Sequence, residues 1–108
     1  DTFTLTTDLK ESLSNRRLPA FCLQLLVENC IKHNILSARR PLRVHIYEKE
    51  PGKVAVENTR QPKRTETDSM GIGLDNLRKR YKLLGVADAI TIEETDTLYT
   101  VSVTLLVP

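Results

Sequence analysis

The sequence predicts an α+β domain, a two-layer sandwich in which two helices cover one face of a mostly antiparallel sheet. Two observations predict this class. Apolar residues recur at helical spacing in two segments, and in the other apolar segments they alternate with polar residues, which is the two-residue period of strands. The elements follow in the order β-α-ββ-loop-α-ββ. A chain of 108 residues fits one domain, residues 1–108, with one hydrophobic core.

The first elements are a short strand and a long helix. Residues 3–6 alternate between apolar and polar types, whereas residues 7–18 are polar and predict irregular structure. Helical spacing extends over residues 20–36, with Pro19 suited to the first turn and Pro41 beyond the end. This helix is therefore expected to separate the first strand from the rest of the sheet.

A β-hairpin follows the helix. Residues 42–47 and 53–58 alternate, and Pro51 and Gly52 between them are typical turn residues. The apolar residues of the first strand share one face, and they are Leu42, Val44 and Ile46. This face of the hairpin is expected to contact the core.

The second half holds a polar loop, a helix and a terminal hairpin. Residues 59–70 offer almost nothing to bury, and a loop of this length in a compact domain is usually functional or mobile. The helix after it is expected to end at Gly85. Its apolar stripe consists of Leu74, Leu77, Tyr81 and Leu84. Alternation over residues 89–93 and 98–106 predicts the last two strands.

Composition excludes several classes of function. With 16 basic and 14 acidic residues the net charge is +2, and tryptophan is absent, so nucleic-acid binding is not expected. No apolar run approaches the ~20 residues that span a bilayer. Cys22 and Cys30 are roughly 12 Å apart along the predicted helix, too far for a disulfide, which favours a reducing compartment. Zinc binding is not expected without a CxxC or paired-histidine spacing.

A polar sector on the first helix suggests chemistry. Asn29, Lys32 and His33 fall in one narrow sector at about 100° per residue, and Glu28 lies on its flank. Singly, each has a simpler explanation, such as an ion pair between Glu28 and Lys32 or a histidine bonded to the backbone. Together they suit a metal-bound polyphosphate, because they offer oxygen ligands for Mg²⁺, a cation for phosphate and a carboxylate to orient a nucleophile.

Two glycines open the second helix. Gly71 and Gly73 would let the backbone approach a ligand, and free N–H groups at a helix N-terminus attract phosphate. Taken alone, the pattern is more often explained by a tight turn. The segment is neither a Rossmann fingerprint, which has a third glycine, nor a Walker A loop.

In their order along the chain, these segments resemble the GHKL, or Bergerat-fold, ATPases. The closest resemblance is to the catalytic ATP-binding domain of LytS-like two-component sensor histidine kinases. Residues 18–33 resemble the N box of that subfamily, and residues 71–76 with Arg80 and Tyr81 resemble its GIGLxNxxxRL segment. Residues 101–108 resemble its last strand. The resemblance implies a Bergerat fold, protein-histidine kinase activity and the cofactors ATP and Mg²⁺.

The resemblance also implies a role for each matching position. Asn29 would coordinate the Mg²⁺ that bridges the ATP phosphates, and Glu28 would orient or activate the attacking group. Lys32 would meet phosphate oxygens, and His33 would line the sugar–phosphate side of the nucleotide. Asn58 occupies the place of the family's adenine-reading aspartate.

Residues 59–70 would form the ATP lid. Gly71 and Gly73 would bring the end of the lid close to the phosphates, with the intervening Ile72 part of the same nucleotide-binding segment. Leu74 would help to wall the pocket.

The chain departs from the family pattern at two positions. Asn58 replaces an aspartate, and an amide lacks the charge-assisted hydrogen bond of a carboxylate. Leu25 stands where many sensor kinases carry a further asparagine. Mg²⁺ would therefore depend on Asn29, ATP oxygens and water.

The expected function is transfer of the γ-phosphoryl group of ATP to a histidine on a separate dimerisation domain of the same protein. Neither His33 nor His45 has a phosphoacceptor-like context. The resemblance implies a homodimer at full length, a response regulator downstream and a cytoplasmic location in a membrane-anchored bacterial sensor, with any membrane contact in segments before Asp1. Two alternatives stay open: an anti-sigma-type serine kinase, and a degenerate domain that acts as a protein-interaction module.

Overall fold

A computed structural model describes residues 2–9, 22–61 and 70–106. It has a small α+β fold with a five-stranded mixed sheet and two helices, in the predicted order. The elements are β1 (Phe3–Asp8), α1 (Cys22–His33), β2 (Leu42–Glu50), β3 (Lys53–Thr59), α2 (Met70–Leu83), β4 (Ile90–Glu94) and β5 (Leu98–Thr104). Neither α1 nor α2, the helices of the described ranges, is long and apolar enough to cross a membrane.

The strands of the sheet lie in the order β1-β2-β3-β5-β4. β1 pairs with β2 in parallel, from Phe3 opposite Leu42 to Asp8 opposite Tyr47, and the other three pairings are antiparallel. The mostly antiparallel sheet is thus confirmed. β1 is longer than the predicted 3–6, because the backbone of polar residues can pair with a neighbouring strand as well as that of apolar ones.

One apolar cluster joins the sheet to both helices. Alternate residues of β2, β3 and β5 contribute Val44, Ile46, Val54, Val56, Val101 and Val103. The helices add Cys22, Leu26, Cys30, Leu74, Leu77 and Tyr81. Since successive strand residues point to opposite faces, both helices bury their apolar residues against the same side of the sheet.

α1 is shorter than the predicted 20–36. Residues 20 and 21 lie outside the described residues, and the helix ends at His33. The side chain of Asn34 donates through Nδ2 to the carbonyl oxygen of Cys30 at 2.8 Å. The backbone N–H of Ile35 then donates to the carbonyl of Gln61 at 2.7 Å. These bonds take the chain out of the helix, so the prediction for residues 34–36 was wrong.

The boundaries of the predicted 59–70 loop also change. Thr59 belongs to β3, and the backbone N–H of Arg60 donates to the carbonyl of Thr97 at 2.9 Å. Residues 62–69 lie outside the described residues. α2 begins at Met70. Residues 59–61 are therefore fixed by hydrogen bonds to neighbouring segments.

The predicted end of α2 at Gly85 is confirmed, with φ at +81°. Two hydrogen bonds close the last turn, from the N–H of Gly85 to Lys82 at 3.0 Å and from the N–H of Val86 to Tyr81 at 2.9 Å. They form a Schellman motif, in which glycine readily adopts the left-handed conformation. Leu84 was wrongly assigned to the apolar stripe. It follows the helix and is 55% exposed.

Candidate functional site

A cavity of about 310 Å³ is lined by residues of α1, α2, β3, β4 and β5. Three side-chain amides face it, from Asn29, Asn34 and Asn58, and we call it the amide cavity. Apolar residues make up most of the remaining wall, including Leu26, Val56, Leu74, Tyr99 and Val101. An apolar pocket with a few convergent polar groups is typical of small-molecule sites.

Asn29 carries an unused hydrogen-bond donor. Its Nδ2 is buried and has no partner among the residues that the structure describes. A buried polar group without a partner costs about 1–3 kcal/mol, so such groups are rare unless a ligand or water satisfies them. Asn29 is therefore the residue of the amide cavity best suited to contact a ligand.

Asn58 forms the polar floor of the cavity and is only 2% exposed. Its Oδ1 accepts a hydrogen bond from Cys30 Sγ at 3.3 Å, and its Nδ2 donates to the carbonyl of Thr59 at 2.7 Å. Burial raises the pKa of Cys30 to about 12, which keeps the thiol protonated and able to donate. One lone pair of Oδ1 and one N–H of Nδ2 remain for a ligand.

Asn34 was not among the predicted site residues, although it lines the same cavity. Its Oδ1 accepts from the N–H of Gln61 at 2.8 Å, and Gln61 Nε2 donates to the carbonyls of Ile35 and Arg40. Asparagine side chains commonly hydrogen-bond to nearby backbone groups, so its position at the end of an apolar helix is a signal that could have identified it. Asn34 and Gln61 together hold the end of α1 against the end of β3.

Arg60 is a second residue that the sequence did not indicate. Its Nη2 lies 3.1 Å from Glu94 Oε1, and its Nη1 donates to the carbonyl of Thr95 at 2.9 Å. Both Arg60 and Glu94 line the amide cavity. The guanidinium is therefore held at the cavity's rim by the β4–β5 hairpin.

The structure separates Asn29 from Glu28, which was predicted to lie on the flank of the same polar sector of α1. Asn29 lines the amide cavity, but Glu28 lines a different cavity of about 200 Å³ between α1 and α2, which we call the interhelix cavity. Glu28 Oε1 accepts from Gln24 Nε2 at 3.1 Å. Leu25 also lines the interhelix cavity. Adjacent helix positions diverge by about 100°, and here α2 packs beside one of them and the sheet beside the other.

Two other residues of α1 were predicted for the site, and neither is shown to line the amide cavity. Lys32 is exposed on α1 and is not part of the wall of the amide cavity. His33 is the last residue of the helix, and its side chain lies outside the described residues. Of the α1 residues predicted for the site, only Asn29 is therefore shown to line the amide cavity.

The start of α2 reaches the amide cavity through Leu74. Gly71, Ile72 and Gly73 lie in the first turns of α2, and their side-chain environment is outside the described residues. N–H groups in the first turn of a helix lack partners within the helix and carry its partial positive charge. This end of α2 offers backbone donors to an anionic ligand.

Among the described residues there is no group of three or more His, Cys, Asp or Glu side chains able to hold a metal ion. A cation at Asn29 would take most of its ligands from a bound molecule and from water, which is how proteins usually hold Mg²⁺ on substrate phosphates.

No family model matches this chain, and no curated protein matches it.

Proposed function

We propose that this chain is the Mg²⁺-ATP-binding catalytic domain of a two-component sensor histidine kinase of the Bergerat-fold class. One observation carries the proposal: the buried Nδ2 of Asn29 has no hydrogen-bond partner among the described residues, and it lies in an apolar-walled cavity whose floor is Asn58. The two asparagines come from segments that resemble successive parts of the family's nucleotide site. Their convergence in one cavity supports the proposal.

The amide cavity suits a purine base. Its volume of about 310 Å³ lies within the range of small-molecule sites, and its walls include the flat and branched side chains of Tyr99, Val56 and Val101. The free lone pair of Asn58 Oδ1 is an acceptor for the exocyclic amine of adenine. The base would stack against the apolar wall while Asn58 identifies its edge.

The phosphates would extend from the base toward Asn29 and the start of α2. Asn29 would contribute an oxygen to Mg²⁺, and the N–H groups near Gly71 and Gly73 would donate to phosphate oxygens. Lys32 and His33 would add positive charge and hydrogen bonds on the outer side. Phosphoryl transfer depends mainly on positioning and electrostatic stabilisation, which such an arrangement supplies.

The acceptor histidine would belong to a separate helical dimerisation domain, and a response regulator would receive the phosphoryl group afterwards. His45 is unsuited to that role, because its Nε2 lies 2.7 Å from Asp8 Oδ2 and its ring stacks on Tyr47.

Glu28 faces α2 rather than the amide cavity. It would orient the incoming histidine from that side. Anchoring in the membrane would come from other segments of the longer protein.

Calorimetry with a non-hydrolysable ATP analogue and Mg²⁺ tests the proposal. We expect binding that depends on Mg²⁺ and that weakens about tenfold or more in Asn29→Ala, the equivalent of about 1.4 kcal/mol. Gln24→Ala is the matched control, because Gln24 is an exposed amide on the same helix outside the amide cavity. Absence of binding at millimolar nucleotide, or equal affinity in the wild type and Asn29→Ala, would refute the nucleotide site.

The chemistry of the phosphorylated product separates the two kinase classes. With a histidine-bearing helical domain supplied, we expect an acid-labile, alkali-stable phosphoryl group on that domain. Acid-stable phosphate on a protein serine would instead identify an anti-sigma-type serine kinase.

One observation favours a degenerate domain that acts as an interaction module. Both polar atoms of Asn58 already bond to Cys30 and Thr59, so the floor of the cavity is stable without a nucleotide. A melting temperature unaffected by ATP, together with retained binding to the dimerisation domain, would support this alternative.

A further inference from the structure

A further cavity, of about 380 Å³ and distinct from the amide and interhelix cavities, lies where the α1–β2 loop, the end of β3 and the β4–β5 turn meet. Four arginines line it: Arg39, Arg40, Arg43 and Arg60. Among the described residues of its wall, Asp96 alone carries a carboxylate. We call it the arginine cavity. The concentration of positive charge is local, because the whole chain has a net charge of only +2.

Three of the four arginines have no ion-pair partner in the described part of the chain. Arg60 pairs with Glu94, but within the described ranges no ion pair joins Arg39, Arg40 or Arg43 to a carboxylate. Like charges that converge on a concavity repel one another and focus a positive potential into it. An anion in the cavity would relieve that repulsion.

Hydrogen bonds fix the backbone around the cavity. The N–H of Arg43 donates to Thr59 Oγ1 at 3.1 Å, and the carbonyl of Arg40 accepts from Gln61 Nε2 at 2.9 Å. The N–H of Arg60 donates to the carbonyl of Thr97 at 2.9 Å. The arginines therefore project from segments whose relative positions are set, which lowers the entropic cost of bringing them around one ligand.

We propose that the arginine cavity binds a small phosphate-class oxyanion such as inorganic phosphate or pyrophosphate. Guanidinium groups form paired hydrogen bonds with phosphate and carboxylate oxygens. A carboxylate offers two oxygens in one plane, whereas a phosphate offers several in tetrahedral directions. Arginines that converge from three chain segments match the second arrangement. This site is separate from the amide cavity, although Arg60 lines both.

Calorimetric titration with pyrophosphate, in the absence of Mg²⁺, tests the inference. We compare the wild type with a triple variant that carries Arg39→Gln, Arg40→Gln and Arg43→Gln. Arg60 is left unchanged because it also lines the amide cavity. We expect affinity for pyrophosphate to fall at least about tenfold in the triple variant, with an unchanged melting temperature, and the corresponding Arg→Lys variant to recover only part of the affinity.

A charge-matched control uses exposed basic residues of α2 that lie outside the arginine cavity: Arg78→Gln, Lys79→Gln and Lys82→Gln together. This control should bind pyrophosphate as the wild type does. Equal losses in both triple variants would show a general effect of net charge and overturn the site, as would no loss in either. Equal affinity for succinate would overturn the phosphate preference.

Asn29→Ala separates this inference from the nucleotide proposal. It should leave pyrophosphate binding intact, because Asn29 does not line the arginine cavity. Loss of pyrophosphate binding in Asn29→Ala, with retention in the arginine variant, would move the anion to the amide cavity. Failure of ATP binding would leave the pyrophosphate result unaffected.

Discussion

The amide cavity and the arginine cavity are neighbours that share Arg60, yet their linings differ in chemistry. The first is walled by core residues and presents uncharged amides, one of them with a buried donor that lacks a partner in the described part of the chain. The second is lined by four arginines, of which Arg39, Arg40 and Arg43 are exposed and Arg60 is half-buried. A site cut into the core selects ligands by shape and hydrogen bonding, whereas a charged surface site selects by charge.

The difference also concerns stability. Residues of the amide cavity such as Leu26 and Leu74 belong to the apolar cluster that joins α1, α2 and the sheet. None of the four arginines of the arginine cavity is a described member of that cluster. The amide cavity therefore cannot be altered without cost to folding, whereas the arginine cavity can. Three measurements test this contrast.

Truncation of a wall residue should have the largest effect. Leu26 is 2% exposed, and Leu26→Ala should lower the free energy of unfolding by about 2–5 kcal/mol through lost burial and an enlarged cavity. Arg40→Ala, at the rim of the arginine cavity, should change it by no more than about 0.5 kcal/mol. Urea denaturation measures both. Similar losses in the two variants would contradict the division into a core-built and a surface-built site.

Alkaline pH should lower the free energy of unfolding through two buried thiols, one of which, Cys30, lines the amide cavity. Burial raises the pKa of Cys30 from 9.0 to about 12 and that of Cys22 to about 11. Below pH 9 both states of the protein keep these protons. As pH rises above 9 the unfolded chain loses them first, so stability should fall by about 1 kcal/mol per pH unit for each thiol until its folded pKa is reached.

Melting temperatures between pH 8 and 11 measure this loss, with Cys30→Ala as the comparison. The variant starts from a lower stability because Asn58 loses its hydrogen-bond donor. Its decline with pH should nevertheless be shallower than in the wild type. An equally steep decline would show that the Cys30 thiol is not protected by burial.

The smallest expected effect is that of salt concentration on ligand affinity, which should differ between the two cavities. Adenosine is uncharged, so its affinity for the amide cavity should change less than about twofold between roughly 50 and 500 mM NaCl. Pyrophosphate affinity for the arginine cavity should fall about tenfold over the same range, because exposed charges are screened. Calorimetry at the two salt concentrations gives both numbers. A parallel fall for both ligands would mean that one charged site binds both.

The sequence determined the elements and much of the cavity wall. Two periods, about 3.6 and 2 residues, gave the element types and their order, and Gly85 marked the end of α2 correctly. Asn29 was chosen from its polar sector on α1, whereas Asn58 and Leu74 were chosen from the family resemblance, and all three line one cavity. The element types and the end of α2 are local features, because spacing and backbone preference act within a few residues.

Only the tertiary structure decided how these pieces meet. It separated Glu28 from Asn29, since α2 packs on one side of α1 and the sheet on the other. It also brought Arg39, Arg40, Arg43 and Arg60 into one cavity. A hydrogen bond between Asn34 and Gln61 joins the end of α1 to the end of β3. Each arrangement depends on packing between segments far apart in the chain, so no periodicity in the sequence could have predicted it.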